Sequence, residues 1–287
     1  MIEVVKPGLL TTVQDLGRHG YAHLGVARSG ALDPPALIAA NRLVGNADGA
    51  AALETTLSGV SLRLEVATVL AVTGAAAPVA VDGQPVKLAS AVSAPAGSLV
   101  EVGSAVGGVR SYVAFAGGVT VAPVLGSRST DTLSGLGPPP LRAGFVLPLG
   151  RATFQGTLFE LDLPPEPPTE PAGDLTLRLR LGPRHDWLSV TARDTLLAEP
   201  YQLSVKSNRV GVRLSGPVLS RAVAGELPSE GIVLGAVQVP ADGQPLIFLA
   251  DHPTTGGYPV VGVVDRADLP QLAQARPGTS VRFVAWT

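Results

Sequence analysis

Residues 251–258, Asp251-His252-Pro253-Thr254-Thr255-Gly256-Gly257-Tyr258, gather a carboxylate, two hydroxyls, a glycine pair and a phenol in one short stretch. Asp251 closes the apolar run 246–250, which puts its carboxylate at the mouth of a strand. From there Thr254, Thr255 and the Gly256-Gly257 backbone can present hydroxyls and N–H groups to an oxyanion, with a phenol donor from Tyr258. A structural reading competes: Asp251 caps free amides, and the glycines supply the positive φ that a turn needs.

Gln14, Asp15 and Arg18 form a second cluster. The guanidinium fork of Arg18 suits a substrate carboxylate or phosphate, with Asp15 orienting it. The alternative is an internal Asp15–Arg18 pair that anchors the N-terminal loop. Ser29, Gly30 and Asp33 lie just ahead of a helix start, where backbone donors favour an anion; Asp33 is equally a plain cap. Asn208, in Ser207-Asn208-Arg209 at a strand entrance, can bind an amide through both its donor and its acceptor, or simply form a turn beside a surface arginine. Glu54, after an Ala-Ala-Leu run, reads as a buried carboxylate with a raised pKa or as one satisfied by backbone amides. His23 is a proton carrier or a packed histidine.

Strands must position most of these groups. Runs at 60–64, 68–73, 78–81, 98–102, 110–115, 175–181, 211–215, 233–239, 246–250, 260–264 and 280–285 are largely β-branched and are mostly closed by Gly, Pro, Asp or Asn. Asp82-Gly83 and Asp242-Gly243 read as hairpin turns, each continuing as Asp-Gly-Gln-Pro. The 34 Gly and 26 Pro fit many short strands and argue against a helical bundle. Helices are predicted over 33–43, with Asp33 as N-cap and Pro34 at the first position, over 189–197, and over 268–275. Five prolines crowd into residues 164–171 and cannot sit in a sheet interior. The chain is therefore expected to divide into a β domain at 1–163, a proline-rich linker at 164–173 and a second β domain at 174–287, the alternative being a proline-rich surface loop within one large β domain.

Composition narrows the chemistry. Charged residues are 15% against 46% hydrophobic, and the net charge is -2. That excludes disorder and gives no surface for nucleic acid or an anionic membrane. The absence of cysteine excludes disulfides, thiolate nucleophiles and zinc–thiolate sites. No phosphate loop, zincin helix or nucleophile elbow is present. Residues 1–7 lack the features of a secretory signal, and the apolar run 66–77 is too short for a bilayer, so a cytoplasmic protein is expected.

Longer segments carry a resemblance. Gly8-Leu9-Leu10-Thr11-Thr12-Val13-Gln14-Asp15-Leu16-Gly17-Arg18-His19-Gly20-Tyr21 is followed by Ser29-Gly30-Ala31-Leu32-Asp33, by Ala39-Ala40-Asn41-Arg42-Leu43-Val44-Gly45-Asn46 and by Ala52-Leu53-Glu54. In the second half come Gly182-Pro183-Arg184-His185-Asp186-Trp187, Ser207-Asn208-Arg209-Val210-Gly211, Ser229-Glu230-Gly231, Gly235-Ala236-Val237-Gln238-Val239-Pro240 and the 251–258 stretch. In type and order these resemble the allophanate hydrolase subunit 2 family, which includes the C-type subunit of 5-oxoprolinase, KipA-like proteins and part of the carboxyltransferase domain of urea carboxylase. His252 stands where the family often has Arg, and Val210 where Met is common, which puts an anion-binding role at 252 in doubt.

The resemblance implies a mostly-β fold of two cyclophilin-like β-barrel domains with a few short helices, the first a carboxyltransferase-like subdomain. It implies a small amide or lactam substrate: an N–C=O unit that is either carboxylated from carboxybiotin or, as 5-oxoproline, hydrolysed to glutamate at the expense of ATP. Either route needs a group to accept the substrate N–H and a donor to polarise the carbonyl. Asp251, Thr254, Thr255 and Tyr258 are then the catalytic candidates. Gln14, Asp15, Arg18, Ser29, Asn208, Arg209, Glu230, Gln238, Gly256 and Gly257 are the substrate-binding candidates, Glu230 and Gln238 on the resemblance alone. ATP with Mg2+ is expected at the level of a complex, with no protein-held metal and no biotin on this chain. The partners implied are a subunit 1-type (KipI-like) protein and a third, hydrolytic subunit. The leading expectation is a 5-oxoprolinase subunit. The alternatives are a carboxyltransferase-like half-domain for urea-type amides and a KipA-like regulator that binds a kinase inhibitor.

Overall fold

The computed structural model of the chain describes residues 1–152, 174–223, 225 and 227–286. The proline-rich linker expected at 164–173 lies outside the described residues, as do the last residues of the expected first domain. Packing divides the chain into two units. One comprises Met1–Arg18, Ser29–Asp131 and Gly135–Glu170; the other comprises His19–Arg28, Thr132–Ser134 and Pro171–Thr287. Two short excursions, 19–28 and 132–134, thus pack with the second unit although the chain around them belongs to the first.

In the first unit the strands form two sheets. One runs in the order Val146–Leu147, Ile2–Lys6, Val60–Leu64, Leu99–Val102, Val79–Val81, Gln84–Val86. The other runs Leu10–Gln14, Ala52–Thr56, Gly107–Phe115, Thr68–Ala76, Val92–Ala94. Side chains alternate across a strand, and the long central strand uses both faces. Val113 and Phe115 join Ile2, Leu62, Leu64 and Val100 in a core shared by the two sheets. Tyr112, Ala114 and Ala116 point the other way, into a second core with Leu37, Ala40 and Leu43 of helix α1 (Pro34–Leu43). Each fully buried Leu or Val in these cores contributes roughly 1.5–3 kcal/mol.

Helix α1 starts as its sequence dictates. The Asp33 side chain accepts a hydrogen bond from Ala36 N at 3.1 Å, and Pro34 and Pro35 occupy positions whose N–H groups would have no helical partner. The Asp82-Gly83 turn is also as predicted: Val81 pairs with Gln84, and both turn residues have positive φ, 50° and 75°. These are the dihedral signs of a type I′ hairpin.

The second unit contains a closed barrel in the order Leu175–Leu181, Val260–Val264, Ala236–Gln238, Leu246–Phe248, Gly211–Ser215, Tyr201–Leu203, Ser280–Ala285. The first and last of these strands pair in parallel, Leu175 opposite Val281 through Leu179 opposite Ala285, and so close the ring without an exposed edge. Leu177, Leu179, Val237, Ile247 and Val281 are fully buried. Helices α2 (Val190–Ala198) and α3 (Leu269–Gln274) lie where they were predicted, α2 capped by Ser189 Oγ accepting from Ala192 N at 3.1 Å. A separate two-stranded ribbon pairs Glu230–Gly231 with Thr255–Gly256. The mostly-β class with a few short helices is what the sequence led us to expect, with a closed barrel in the second unit and paired sheets in the first.

Candidate functional site

In the first unit, Gln14, Asp15, Arg18 and Ser29 all attach to one segment, residues 124–130. Gln14 ends strand Leu10–Gln14, which is held on one side by Ala52–Thr56; Thr130 N donates to Val13 O at 2.9 Å. The Gln14 amide donates to Thr130 O at 2.9 Å and to Thr12 Oγ1 at 3.0 Å. Asp15 is a hub: its carboxylate accepts from Gly17 N (2.7 Å), Ser127 Oγ, Ser129 Oγ and Arg128 N (2.6 Å each). Arg18, only 2% exposed, donates to Val124 O at 3.2 Å and to Ser129 O. Ser29 Oγ donates to Thr130 O at 3.1 Å.

Asp15 spends its contacts on backbone and hydroxyl groups, so the part its geometry supports is to order the 124–130 segment, to whose carbonyls Arg18 also donates. Ser127, Ser129 and Thr130 were missed by sequence reasoning. The only signal was a run of small hydroxyl residues after Gly126, and nothing in such a run distinguishes a buried strap from a surface loop.

The turn at 29–33 is fixed from below. Tyr112 and Glu54 stand directly opposite each other in the sheet. Tyr112 Oη donates to Glu54 Oε2 at 2.8 Å; that oxygen also accepts from Leu32 N at 3.0 Å, and Asp33 N donates to Tyr112 Oη at 2.8 Å. Glu54 is therefore satisfied by a phenol and a backbone amide. Burial, with the charges of Glu54 and Asp33 adding to it, pushes the Tyr112 phenol well above its usual pKa. Gly30 is required here: with φ +98°, a Cβ would fall 2.9 Å from Gly17 N.

In the second unit the pivot is Asp251. Its side chain has no exposure; Arg209 Nε and Nη2 donate to its two oxygens at 3.0 Å each. Thr132 adds its N–H at 2.9 Å and its hydroxyl at 2.7 Å. Burial alone would raise the Asp251 pKa, but the Arg209 charge and hydrogen bonds, helped by Thr132, outweigh it and hold the carboxyl below the ordinary range. The expected strand-mouth carboxylate is thus ion-paired and of low basicity, and the role its geometry supports is positional. It ties the start of strand Gly211–Ser215 to the end of Leu246–Phe248, the places from which Asn208 and the 254–258 turn project.

The catalytic candidates after Asp251 are more open. Thr254 is half-buried, Thr255 and Gly257 are exposed, and Tyr258 is 48% exposed. Thr255–Gly256 pairs with Glu230–Gly231, and Glu230 is ion-paired to Arg184, whose Nε donates to Oε2 at 3.1 Å. The Arg184 contact holds the Glu230 carboxyl below its usual pKa. Gln238, 2% exposed, donates to Tyr258 O at 2.8 Å. Gly256 is a close-approach glycine, not a positive-φ one: a Cβ there would lie 2.6 Å from Ile232 Cδ1. The structure thus brings Glu230, Gln238, Gly256 and Tyr258 together. Asn208 is exposed and its Oδ1 accepts from Val210 N at 2.9 Å and Gly211 N at 3.3 Å, as the turn reading has it. Arg209, read from sequence as a candidate ligand or a surface arginine, is buried in its pair with Asp251. Among the described residues no group of three or more His, Asp or Glu is arranged to hold a metal, and no helix is long and apolar enough to cross a membrane.

Comparison with known proteins places this geometry. The family model for the carboxyltransferase domain, subdomains A and B, matches residues 24–285. The chain is 37% identical to the C-type subunit of the Escherichia coli 5-oxoprolinase over 99% of this chain and 91% of that one. The crystal structure of TTHA0988 superposes with a TM-score of 0.83 at 38% identity, over 99% of this chain and 55% of that one. The K. lactis urea amidolyase gives a TM-score of 0.91 at 30% identity, over all of this chain and 19% of that one. The chain thus spans about half of TTHA0988 and a fifth of the urea enzyme.

Proposed function

The chain belongs to the carboxyltransferase domain family, subdomains A and B, and from that premise we propose that it is the C-type subunit of an ATP-dependent 5-oxoprolinase. The reaction takes 5-oxo-L-proline, ATP and water to L-glutamate, ADP and phosphate. One observation carries the reading: the match to the C-type 5-oxoprolinase subunit is end to end in both chains, 99% and 91%, whereas the urea enzyme is matched over only 19% of its length.

A lactam resists hydrolysis because resonance deactivates its carbonyl, and ATP offsets that by converting the carbonyl oxygen into a leaving group. This chain's residues would bind and orient. Thr254, which is half-buried, and Thr255 and Tyr258, which are exposed, are assigned to the substrate carbonyl or its activated oxygen. Arg209 and Asp251 hold the turn that carries them, and the Glu230–Gln238–Gly256 cluster holds its far side. The described residues supply no acidic cluster for Mg2+, so the ion would travel on the nucleotide phosphates, with the nucleotide held mainly by a subunit 1-type (KipI-like) partner. The complex is completed by a third, hydrolytic subunit, and we place it in the cytoplasm.

The test is glutamate release from 5-oxoproline and Mg-ATP by this chain with its partners, each protein omitted in turn. Glutamate only from the full set supports the reading. A complex that assembles tightly yet releases none overturns it in favour of regulation. A second reading, carboxyl transfer to a urea-type amide by a half-domain carrying no biotin of its own, draws on the TM-score of 0.91 to urea amidolyase. It requires urea-dependent, biotin-dependent turnover in the same assay.

A further inference from the structure

We propose that Gly231 is a binding residue of the site: it keeps open the space beside Thr255 into which the flat ring of the lactam fits. The inference rests on the reading above and adds to it Gly231 and a choice between the two threonines. The two-stranded ribbon sets the geometry. Glu230 lies opposite Gly256 and Gly231 opposite Thr255, and Ile232 N donates to Thr254 O at 2.9 Å, which carries the pairing one step further. Side chains alternate across such a ladder, and exposure follows the same rhythm. Gly231, Val233, Thr255 and Gly257 are exposed, whereas Glu230, Thr254 and Gly256 are half-buried and Ile232 is buried. Arg184 holds Glu230 from the inner side. Thr254 is on that inner side too, its Oγ1 3.9 Å from where a Cβ on Gly25 would lie. Thr255 is therefore the hydroxyl that a ligand on the outer face meets.

The two glycines of the ribbon differ in kind. Gly256 is required by the fold, since a Cβ there would strike Ile232 Cδ1 at 2.6 Å. Gly231 is not. Its φ lies outside the left-handed region, and among the described residues nothing beyond its chain neighbours comes within 4 Å of a Cβ built on it. Neither backbone nor packing calls for glycine there. In a strand, glycine costs chain entropy and marks places where a ligand approaches the main chain closely. The chemistry of that ligand follows from the face. No charged side chain stands at positions 229, 231, 233, 255 or 257, so the part of the ligand that meets them is neutral. The bare peptide planes at Gly231 and Gly257 accept a flat group, and the Thr255 hydroxyl both donates and accepts. Val233, 55% exposed, adds an apolar edge for ring methylenes. A lactam ring is flat, carries a donor and an acceptor, and has methylenes on its far side.

The test is the series Gly231→Ala, Gly231→Val and Gly231→Leu in the full chain with its partner subunits, dialysed to equilibrium against labelled 5-oxoproline and, separately, labelled urea. Retention of 5-oxoproline should weaken as the side chain grows, by at least about tenfold at leucine. The guanidinium unfolding midpoint of the free chain should stay at or above that of wild type throughout. Thr255→Val should also weaken retention about tenfold, the loss of one hydrogen bond to a ligand, and Thr255→Ser should keep it. Retention unchanged at leucine overturns the proposal, as does a loss of stability in step with side-chain size, which would mean that the fold needs this glycine after all. A leucine variant that no longer assembles with its partners overturns it too, because the face then belongs to a protein. So does a wild-type complex that retains neither probe. The two readings fail separately. Glutamate release with unaltered retention in folded Gly231→Leu sinks the role of Gly231 alone. Urea held in a Gly231-dependent way, without 5-oxoproline turnover, sinks the 5-oxoprolinase alone.

Discussion

Arg209 and Asp251 face each other as a fork, two N–O contacts of 3.0 Å, with side chains 2% and 0% exposed. A pair so deeply buried is costly to break from one side, because the remaining charge has no water to turn to. Asp251→Asn should therefore cost about 3–5 kcal/mol of stability. The double replacement Arg209→Met with Asp251→Leu should cost clearly less, since no charge is stranded. Denaturant unfolding of the three proteins measures both, and equal losses in single and double variants would refute the assignment.

The same pair sets an acid limit. The folded-state pKa of Asp251 lies below its ordinary 3.8. A depressed carboxylate contributes stability that is fully present above the unfolded-state pKa and is lost as pH falls through the folded one. Wild-type stability should thus fall off below about pH 4, more steeply than that of Asp251→Asn, which has no proton to take up at this position. Urea midpoints between pH 6 and pH 2.5 would reveal it; parallel curves would remove Asp251 as the source.

Asp15 makes a local prediction. With Gly17 N, Ser127 Oγ, Ser129 Oγ and Arg128 N all directed at its carboxylate, it is the main tie on the 124–130 segment. Asp15→Asn replaces one acceptor oxygen by a donor, and should cost about 1–3 kcal/mol for the group left unpaired. Hydrogen exchange should accelerate at residues 127–130 and stay slow in the barrel of the second unit. Uniform acceleration would mean global destabilisation instead.

These particulars show what the sequence could and could not yield. Strands 60–64, 175–181, 211–215, 260–264 and 280–285 were readable to the residue, because runs of apolar or alternating apolar residues lie close to Gly, Pro or Asp. Strands Leu10–Gln14 and Ala52–Thr56 were not, since polar Thr, Gln and Glu occupy buried positions in them and break the expected alternation. At the site, residue types were legible and their states were not. Asp251 was visible as a carboxylate at a strand end; that Arg209, forty-two positions earlier, neutralises it is a long-range fact no local pattern encodes. The packing of 19–28 and 132–134 with the second unit was invisible for the same reason.

Ser29 allows backbone strain and side-chain bonding to be separated. Its φ of 53° lies in the left-handed region, which costs a residue with a Cβ about 1–2 kcal/mol, while its hydroxyl bond to Thr130 O should return about 0.5–1.5 kcal/mol. Ser29→Ala keeps the strain and loses the bond, and should be the less stable by about 1 kcal/mol. Ser29→Gly loses both, so its net change should stay within about 1 kcal/mol of wild type. Glycine should thus surpass alanine in a guanidinium unfolding series, an order opposite to that in ordinary strand or helix positions. If alanine proves the equal of glycine, the left-handed turn relaxes without cost and strain plays no part. If the predicted order holds, a serine at a position where glycine fits as well is kept for its hydroxyl, and both variants should then lose activity in the reconstituted complex whatever their stability.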